Sequence, residues 1–149
     1  MYRIVSRSAT ETKKIASDLA RDIIRAPRGR GARVVALSGG LGAGKTTFTQ
    51  GFAAALGIKE KIKSPTFVLL KRYRLQALSY KLLFHLDCYR VRDHRDLQTL
   101  DIKGIFNNPS SIILIEWPEH IKKILPRRHT RVHLDHLAEK SRKIIVTYA

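Results

Sequence analysis

Residues Gly39-Gly40-Leu41-Gly42-Ala43-Gly44-Lys45-Thr46 carry the spacing G-x-x-x-x-G-K-[ST]. Glycines there let consecutive backbone N–H groups turn inward around phosphate oxygens, which a Cβ would obstruct. Lys45 has the reach to meet the β- and γ-phosphates of a nucleoside triphosphate, and the Thr46 hydroxyl can ligate Mg²⁺. A helix leaving the loop adds the positive end of its dipole. Such a loop needs a carboxylate for the metal and a group that positions the attacking atom. Two acidic residues stand where apolar runs end. Glu116 closes Ile112-Ile113-Leu114-Ile115, the form of a Walker B strand with Glu in place of the usual Asp, and Asp87 lies in His85-Leu86-Asp87-Cys88-Tyr89-Arg90. Open α/β sheets place ligand groups at such strand ends. The competing reading of each is a helix-capping or solvated carboxylate.

Other residues could contribute. Thr66 in Ser64-Pro65-Thr66-Phe67 resembles a switch hydroxyl, on a loop that Pro65 stiffens. The alternative there is a plain loop-to-strand transition. His85 reads as packing or hydrogen bonding more than as catalysis. Arg90 reads either as an arginine approaching the phosphates or as an ion-pair partner of Asp87 or Glu116. Trp117 reads as half-buried packing whose emission would report on the neighbouring site. His120, His129, His133 and His136 have no nearby Cys or acidic pair to complete a metal site.

The elements that must hold these groups are legible in the pattern. Val34 to Leu37 reads as a buried strand entering the loop, and Lys45 to Leu56 as a helix leaving it, stopped by Gly57. Upstream, Tyr2 to Val5 predicts a strand. Ser8 or Thr10 then caps a helix over Glu11 to Arg25, whose Ile15, Leu19 and Ile23 recur on one face. Phe67 to Leu75 and Ser79 to Leu86 predict an antiparallel hairpin across Gln76-Ala77-Leu78. A short helix within Asp93 to Leu100 follows, then irregular chain to Pro109. After the Ile112 to Ile115 strand comes a turn or helix over Pro118 to Leu125. Thr130 to Leu134 and Lys143 to Tyr148 close the chain as strands. The alternation predicts one α/β domain over residues 1–149. Its expected form is a P-loop NTPase-like three-layer fold with a mixed, mostly parallel sheet and an antiparallel hairpin.

Bulk composition narrows the class. The chain has 149 residues and 44% hydrophobic content, enough for a substantial core. No apolar run approaches the roughly 20 residues that span a bilayer, and the N-terminus lacks the apolar stretch of a secretory signal. The single cysteine, Cys88, excludes an intramolecular disulfide and is compatible with a reducing cytoplasm. Charge is the outlier: 29 Lys and Arg against 12 Asp and Glu, a net +17. Polyanions such as RNA, or an acidic protein surface, suit that balance. Neither an aromatic RNP run nor a GXXG clamp accompanies it.

Together these segments resemble the TsaE family, small ATPases of tRNA threonylcarbamoyladenosine formation. The matching pieces occur in the family's order: Gly39 to Thr47, Ser64-Pro65-Thr66-Phe67, His85-Leu86-Asp87-Cys88-Tyr89-Arg90 and Ile115-Glu116-Trp117-Pro118-Glu119. The resemblance implies an ATP and Mg²⁺ site. In it Lys45 and the backbone of Gly40, Leu41, Gly42, Ala43, Gly44, Thr46 and Thr47 hold phosphates. It implies that Thr46 and Glu116 hold Mg²⁺ with Asp87 beside them, that Asp87 is needed for hydrolysis, and that Thr66 is the switch hydroxyl. The Ser8 to Thr12 segment and a C-terminal basic residue, best matched by Arg142, are implied near the nucleotide. The implied partners are the TsaD and TsaB proteins, with tRNA met indirectly or weakly. Three positions depart from the family pattern. Gly40 stands where an acidic residue is common, Cys88 replaces a common Leu, and Asp101 occupies an expected glycine position. The competing functions are a small-molecule kinase using the same loop, with Arg127, Arg128 and Arg131 as a lid, and a basic RNA-binding adaptor.

Overall fold

The computed structural model describes residues 1–63, 69–76 and 79–148. Among them seven strands form one sheet: β1 (Tyr2–Ser6), β2 (Arg33–Ser38), β3 (Leu70–Arg74), β4 (Leu82–Asp87), β5 (Ser111–Glu116), β6 (Thr130–His136) and β7 (Arg142–Tyr148). Their spatial order is β1-β7-β6-β2-β5-β4-β3. The central strands β6, β2, β5 and β4 pair in parallel, while β1–β7, β7–β6 and β4–β3 pair antiparallel. Five strands therefore run one way and two the other, the mixed and mostly parallel sheet expected.

β2 and β5 read as unbroken apolar runs because both faces of a parallel centre are covered. Val35, Leu37, Ile112 and Leu114 face one core with helices α1 (Ala9–Arg25) and α2 (Lys45–Ala55). Val34, Ile113 and Ile115 face the other, with Leu97, Ile121 and the flanking residues of α3 (Ile102–Phe106). That third layer is thin, made of α3 and 3₁₀ turns at His94–Leu97 and Pro118–Ile121.

Ser8 caps α1, its hydroxyl accepting from Glu11 N–H at 3.0 Å while the Glu11 carboxylate accepts from Arg7 N–H at 2.6 Å. This reciprocal capping selects Ser8 over Thr10. Helix α2 packs on α1 at Gly51, where a Cβ would stand 2.5 Å from Lys13 Cα, so only glycine allows the approach.

Two expectations are corrected. Residues 102–106 are helical where irregular chain was expected. Asp101 caps that turn by accepting from Gly104 N–H at 3.2 Å, which explains the acid at the glycine position. The hairpin strands are shorter at their starts, Leu70–Arg74 and Leu82–Asp87. Phe67, Val68, Ala77 and Leu78 lie outside the described residues. The Pro118 segment is the expected turn, a 3₁₀ turn over Pro118–Ile121 that continues as turn through residue 124. Among the described residues no helix is long and apolar enough to cross a membrane.

Candidate functional site

The loop between β2 and α2 takes its shape from three glycines with positive φ: Gly39 at 144°, Gly42 at 75° and Gly44 at 101°. L side chains rarely adopt those angles. A Cβ on Gly39 would also stand 2.5 Å from Leu134 O, whereas one on Gly40 meets nothing within 4 Å. The Ala43 methyl is buried below the loop and Leu41 is exposed. Lys45, at the first turn of α2, folds back so that Nζ donates to Gly39 O at 2.6 Å and Gly40 O at 2.8 Å. Burial lowers the Lys45 pKa from its ordinary value, while Glu116, Glu119 and Asp87 oppose that shift. Loop carbonyls thus hold an ammonium that is poorly hydrated and close to carboxylates.

The carboxylates meet the loop because of strand register. Asp87 and Glu116 are paired residues at the ends of parallel β4 and β5, and Glu116 also pairs with Leu37 of β2. Alternation puts Leu83, His85 and Asp87 on the same face of the sheet as Ile112, Leu114 and Glu116, the face that α2 covers. Asp87 is 7% exposed and Glu116 2%. Asp87 Oδ1 accepts from Tyr89 N–H at 2.9 Å. Glu116 Oε2 lies 2.9 Å from His85 Nε2, and His85 Nδ1 has no hydrogen-bond partner among the described residues. A buried carboxylate pair beside a glycine-shaped cradle fits a phosphate-bound Mg²⁺. Among the described residues no group of three His, Cys, Asp or Glu forms a self-sufficient metal site. Magnesium bound largely through nucleotide phosphates needs only one or two protein carboxylates.

Trp117 continues β5 into the next turn with φ 58° and ψ 51°, the described non-glycine residue with positive φ. A bulky residue held there is strained, a condition common at functional sites. Its N–H donates to Leu37 O at 3.2 Å. Its ring stacks on His120 with centroids 5.8 Å apart and meets Tyr89 at 5.1 Å. Lys45 Nζ sits 4.3 Å from the Trp117 centroid, within cation–π range. Sequence reasoning took Trp117 as packing and missed this aromatic wall. The available signal was the i, i+3 spacing of Trp117 and His120 around Pro118, which a 3₁₀ turn eclipses. His120 Nδ1 contacts Cys88 O at 2.6 Å, so it braces the β4 end.

Arg142, at the start of β7, reaches the loop. Its guanidinium donates to Gly42 O at 3.3 Å and to Ala138 and Ser141 carbonyls at 3.0 Å each. Thr46 and Thr47 are half-buried on the first turn of α2, and Arg90 is exposed on the turn after β4. Ser8 and Thr12 sit at the start of α1, where the Thr12 hydroxyl bonds Ser6 at 2.7 Å. Thr66 lies outside the described residues. Arg127 and Arg128 precede β6 at the opposite end of the sheet from the loop, and Arg131 pairs with Ala36 within the sheet, so the three do not form a lid over the loop.

With that geometry established, comparison with known proteins is decisive. The sequence model described as "Threonylcarbamoyl adenosine biosynthesis protein TsaE" matches residues 6–144. The chain belongs to the TsaE family. A protein of Treponema pallidum named tRNA threonylcarbamoyladenosine biosynthesis protein TsaE is 35% identical, over 97% of this chain and 98% of its own length. TsaE of Bacillus subtilis is 37% identical over 76% of this chain and 68% of its own. TsaE of Haemophilus influenzae is 40% identical over 70% of this chain, a match spanning 64% of that relative's length. The crystal structure of Bacillus subtilis YdiB superposes with a TM-score of 0.74 at 30% identity, covering 99% of this chain and 84% of that one.

Proposed function

We propose that this TsaE-family chain is a single-domain P-loop ATPase that serves tRNA threonylcarbamoyladenosine biosynthesis together with TsaD and TsaB. The observation that carries the ATPase reading is the side-by-side placement of Asp87 and Glu116 at the ends of β4 and β5, beside the cradle at Gly39–Thr46. The family supplies the pathway.

In this reading the Gly40–Thr47 backbone and Lys45 bind the phosphates of ATP. Lys45 exchanges its two loop carbonyls for phosphate oxygens. Thr46 and Glu116 are the residues that would hold Mg²⁺, which when bound would offset the negative charge of the phosphates. His85 fixes the Glu116 rotamer through its hydrogen bond. Asp87, beside the metal position, orients the attacking water, and Thr66 is the switch hydroxyl. Arg142 steadies the loop from its C-terminal side. Its guanidinium is already bonded to four carbonyls, so it is a weak candidate for stabilising transition-state charge. Turnover by the isolated chain is therefore slow, and docking on TsaD and TsaB completes the site. Hydrolysis then acts as a switch on that assembly in the cytoplasm.

Phosphate release from ATP and from GTP, measured with and without TsaD–TsaB and with tRNA added, tests this. Expected are slow ATP hydrolysis alone, stimulation by the pair, and loss of turnover in Asp87→Ala and Glu116→Ala with ATP binding partly retained. Wild-type turnover in both variants, or transfer of the γ-phosphate to a metabolite in place of water, would overturn it.

A further inference from the structure

The end of the sheet opposite the phosphate loop is built, among the described residues, from the connections at 25–33, 74–76, 79–81, 106–111 and 126–131. Together these spans hold eight arginines and one lysine, and no Asp or Glu. Hydrogen bonds tie the connections into one surface. Ala32 N–H donates to Phe106 O at 2.9 Å and Lys81 N–H to Ser110 O at 2.7 Å. Arg28 donates to Pro109 O at 3.2 Å and Ser110 Oγ at 3.0 Å, and Arg33 Nε donates to the Tyr80 hydroxyl at 3.2 Å. The pairing of Val35 with Thr130 brings Arg127 and Arg128 beside the Arg33 end of β2. Among the described residues none of the eight arginines has an ion pair with a carboxylate. Asp22, near Arg33 at the end of α1, lies at one margin.

At the same end stands an exposed aromatic pair. Tyr148 pairs with Thr130, and the Tyr2 and Tyr148 rings lie 6.4 Å apart, 39% and 51% exposed. Arginine forks match phosphate oxygens in pairs and hold their charge at any physiological pH. Aromatic faces accept unstacked bases. A dense arginine surface whose connections carry no Asp or Glu, edged by open tyrosines with Asp18 and Asp22 on the α1 side, combines both needs.

We infer that this pole binds the phosphodiester backbone of RNA, with Arg30, Arg127 and Arg128 on phosphates and Tyr2 and Tyr148 against unpaired bases. The inference takes tRNA as its RNA from the role proposed above. It sits a strand's length, roughly 20 Å for six residues, from the nucleotide site. RNA and ATP therefore bind without competing, and the two readings fail separately.

The test is fluorescence anisotropy of a labelled tRNA transcript titrated with the full chain, with and without ATP-Mg. Expected is ATP-insensitive binding that weakens on the order of fiftyfold between about 50 and about 200 mM KCl, as about four phosphate contacts require. Joint Arg30→Glu, Arg127→Glu and Arg128→Glu weakens binding by at least about tenfold and flattens the salt slope. Tyr148→Ala weakens it by about tenfold with the slope unchanged. The control, Lys13→Glu with Lys71→Glu and Lys140→Glu, makes the same change in net charge away from the pole and retains most of the affinity. Retained ATP binding shows that each variant is folded. For the unmodified chain, photo-crosslinks to the RNA map to Tyr2 or Tyr148. No binding at the lower salt, equal losses in both triple variants, or crosslinks at the phosphate-loop end would each sink the proposal. So would displacement of tRNA by polyglutamate at equal charge concentration, which reassigns the pole to an acidic protein surface.

Discussion

His85 Nε2 and Glu116 Oε2 lie 2.9 Å apart across β4 and β5, with both side chains almost wholly buried. A glutamate side chain at a strand end is free to adopt several rotamers, and this contact removes that freedom. The histidine two residues before Asp87 therefore positions the carboxylate that Asp87 stands beside.

Replacing His85 separates that role from simple packing. His85→Ala leaves the Glu116 acceptor buried without its partner, which costs about 1–3 kcal/mol of stability. ATP turnover falls by at least about tenfold, the scale on which misplacing a catalytic-site group acts. His85→Gln restores a donor, so turnover recovers partly and the requirement for Mg²⁺ moves back toward that of the unmodified chain. Urea unfolding and phosphate release at varied Mg²⁺ measure the two effects. Unchanged Mg²⁺ dependence in His85→Ala would reduce His85 to core packing.

The position of Lys45 over Trp117 gives an optical prediction. Trp117 is the chain's single tryptophan, and the Lys45 ammonium sits 4.3 Å from its ring centroid. Moving that cation to phosphate oxygens changes the field on the indole. Titration with ATP-Mg therefore shifts or quenches tryptophan emission saturably. Lys45→Met starts from a different emission and loses the nucleotide response. An invariant spectrum, with ATP binding confirmed by calorimetry, would show that Lys45 keeps its place over the ring.

Much of this arrangement was legible in the chain. The Gly39–Thr46 spacing located the cradle, and apolar runs ending in acid located Asp87 and Glu116, because a covered parallel sheet writes itself as continuous hydrophobic residues. The register pairing Asp87 with Glu116 was not legible, since it depends on which strands become neighbours. The Lys45–Trp117 contact was hidden for the same reason, and it also needs the positive φ of Trp117, which no propensity predicts. The helix at 102–106 was missed because five residues are too few to show a period. The basic pole was legible only in part: Arg127, Arg128 and Arg131 form a dense basic stretch in the sequence, but nothing in the sequence shows that Arg28, Arg30 and Arg33 meet them at one end of the sheet.

Adjacent glycines in the loop should respond in opposite ways. Gly39 combines φ 144° with a Cβ position 2.5 Å from Leu134 O, and Gly40 has open space around its Cβ position. Gly39→Ala destabilises the fold by roughly 1–3 kcal/mol through backbone strain and weakens ATP binding. Gly40→Glu, whose Cβ meets nothing within 4 Å, changes stability by less than about 0.5 kcal/mol. Thermal and urea unfolding of the two variants check this. Equal losses at both positions would mean that the loop is not set by the Gly39 geometry.

Cys88 gives stability a defined alkaline limit. Its side chain is fully buried at the end of β4, and burial pushes the thiol up from its ordinary 9.0 to about 12, with Asp87, Glu119 and Glu116 adding to the shift. The folded chain keeps this proton over a range in which the unfolded thiol has lost it. The contribution is therefore fully present below about pH 9 and declines as pH rises toward 12, by up to about 1.4 kcal/mol per pH unit. Tyr2, also raised to about 12, acts identically in a Cys88 variant and cancels in the comparison. Cys88→Ala loses some packing at pH 8 but shows a flatter decline, so the gap between the two proteins narrows by roughly 1.5 kcal/mol between about pH 9 and about pH 10.5. Urea unfolding across that range measures it. The same burial predicts that thiol reagents label Cys88 at pH 8 only as fast as the chain opens. Parallel stability curves, or labelling at the rate of a free thiol, would show that Cys88 is reached by solvent.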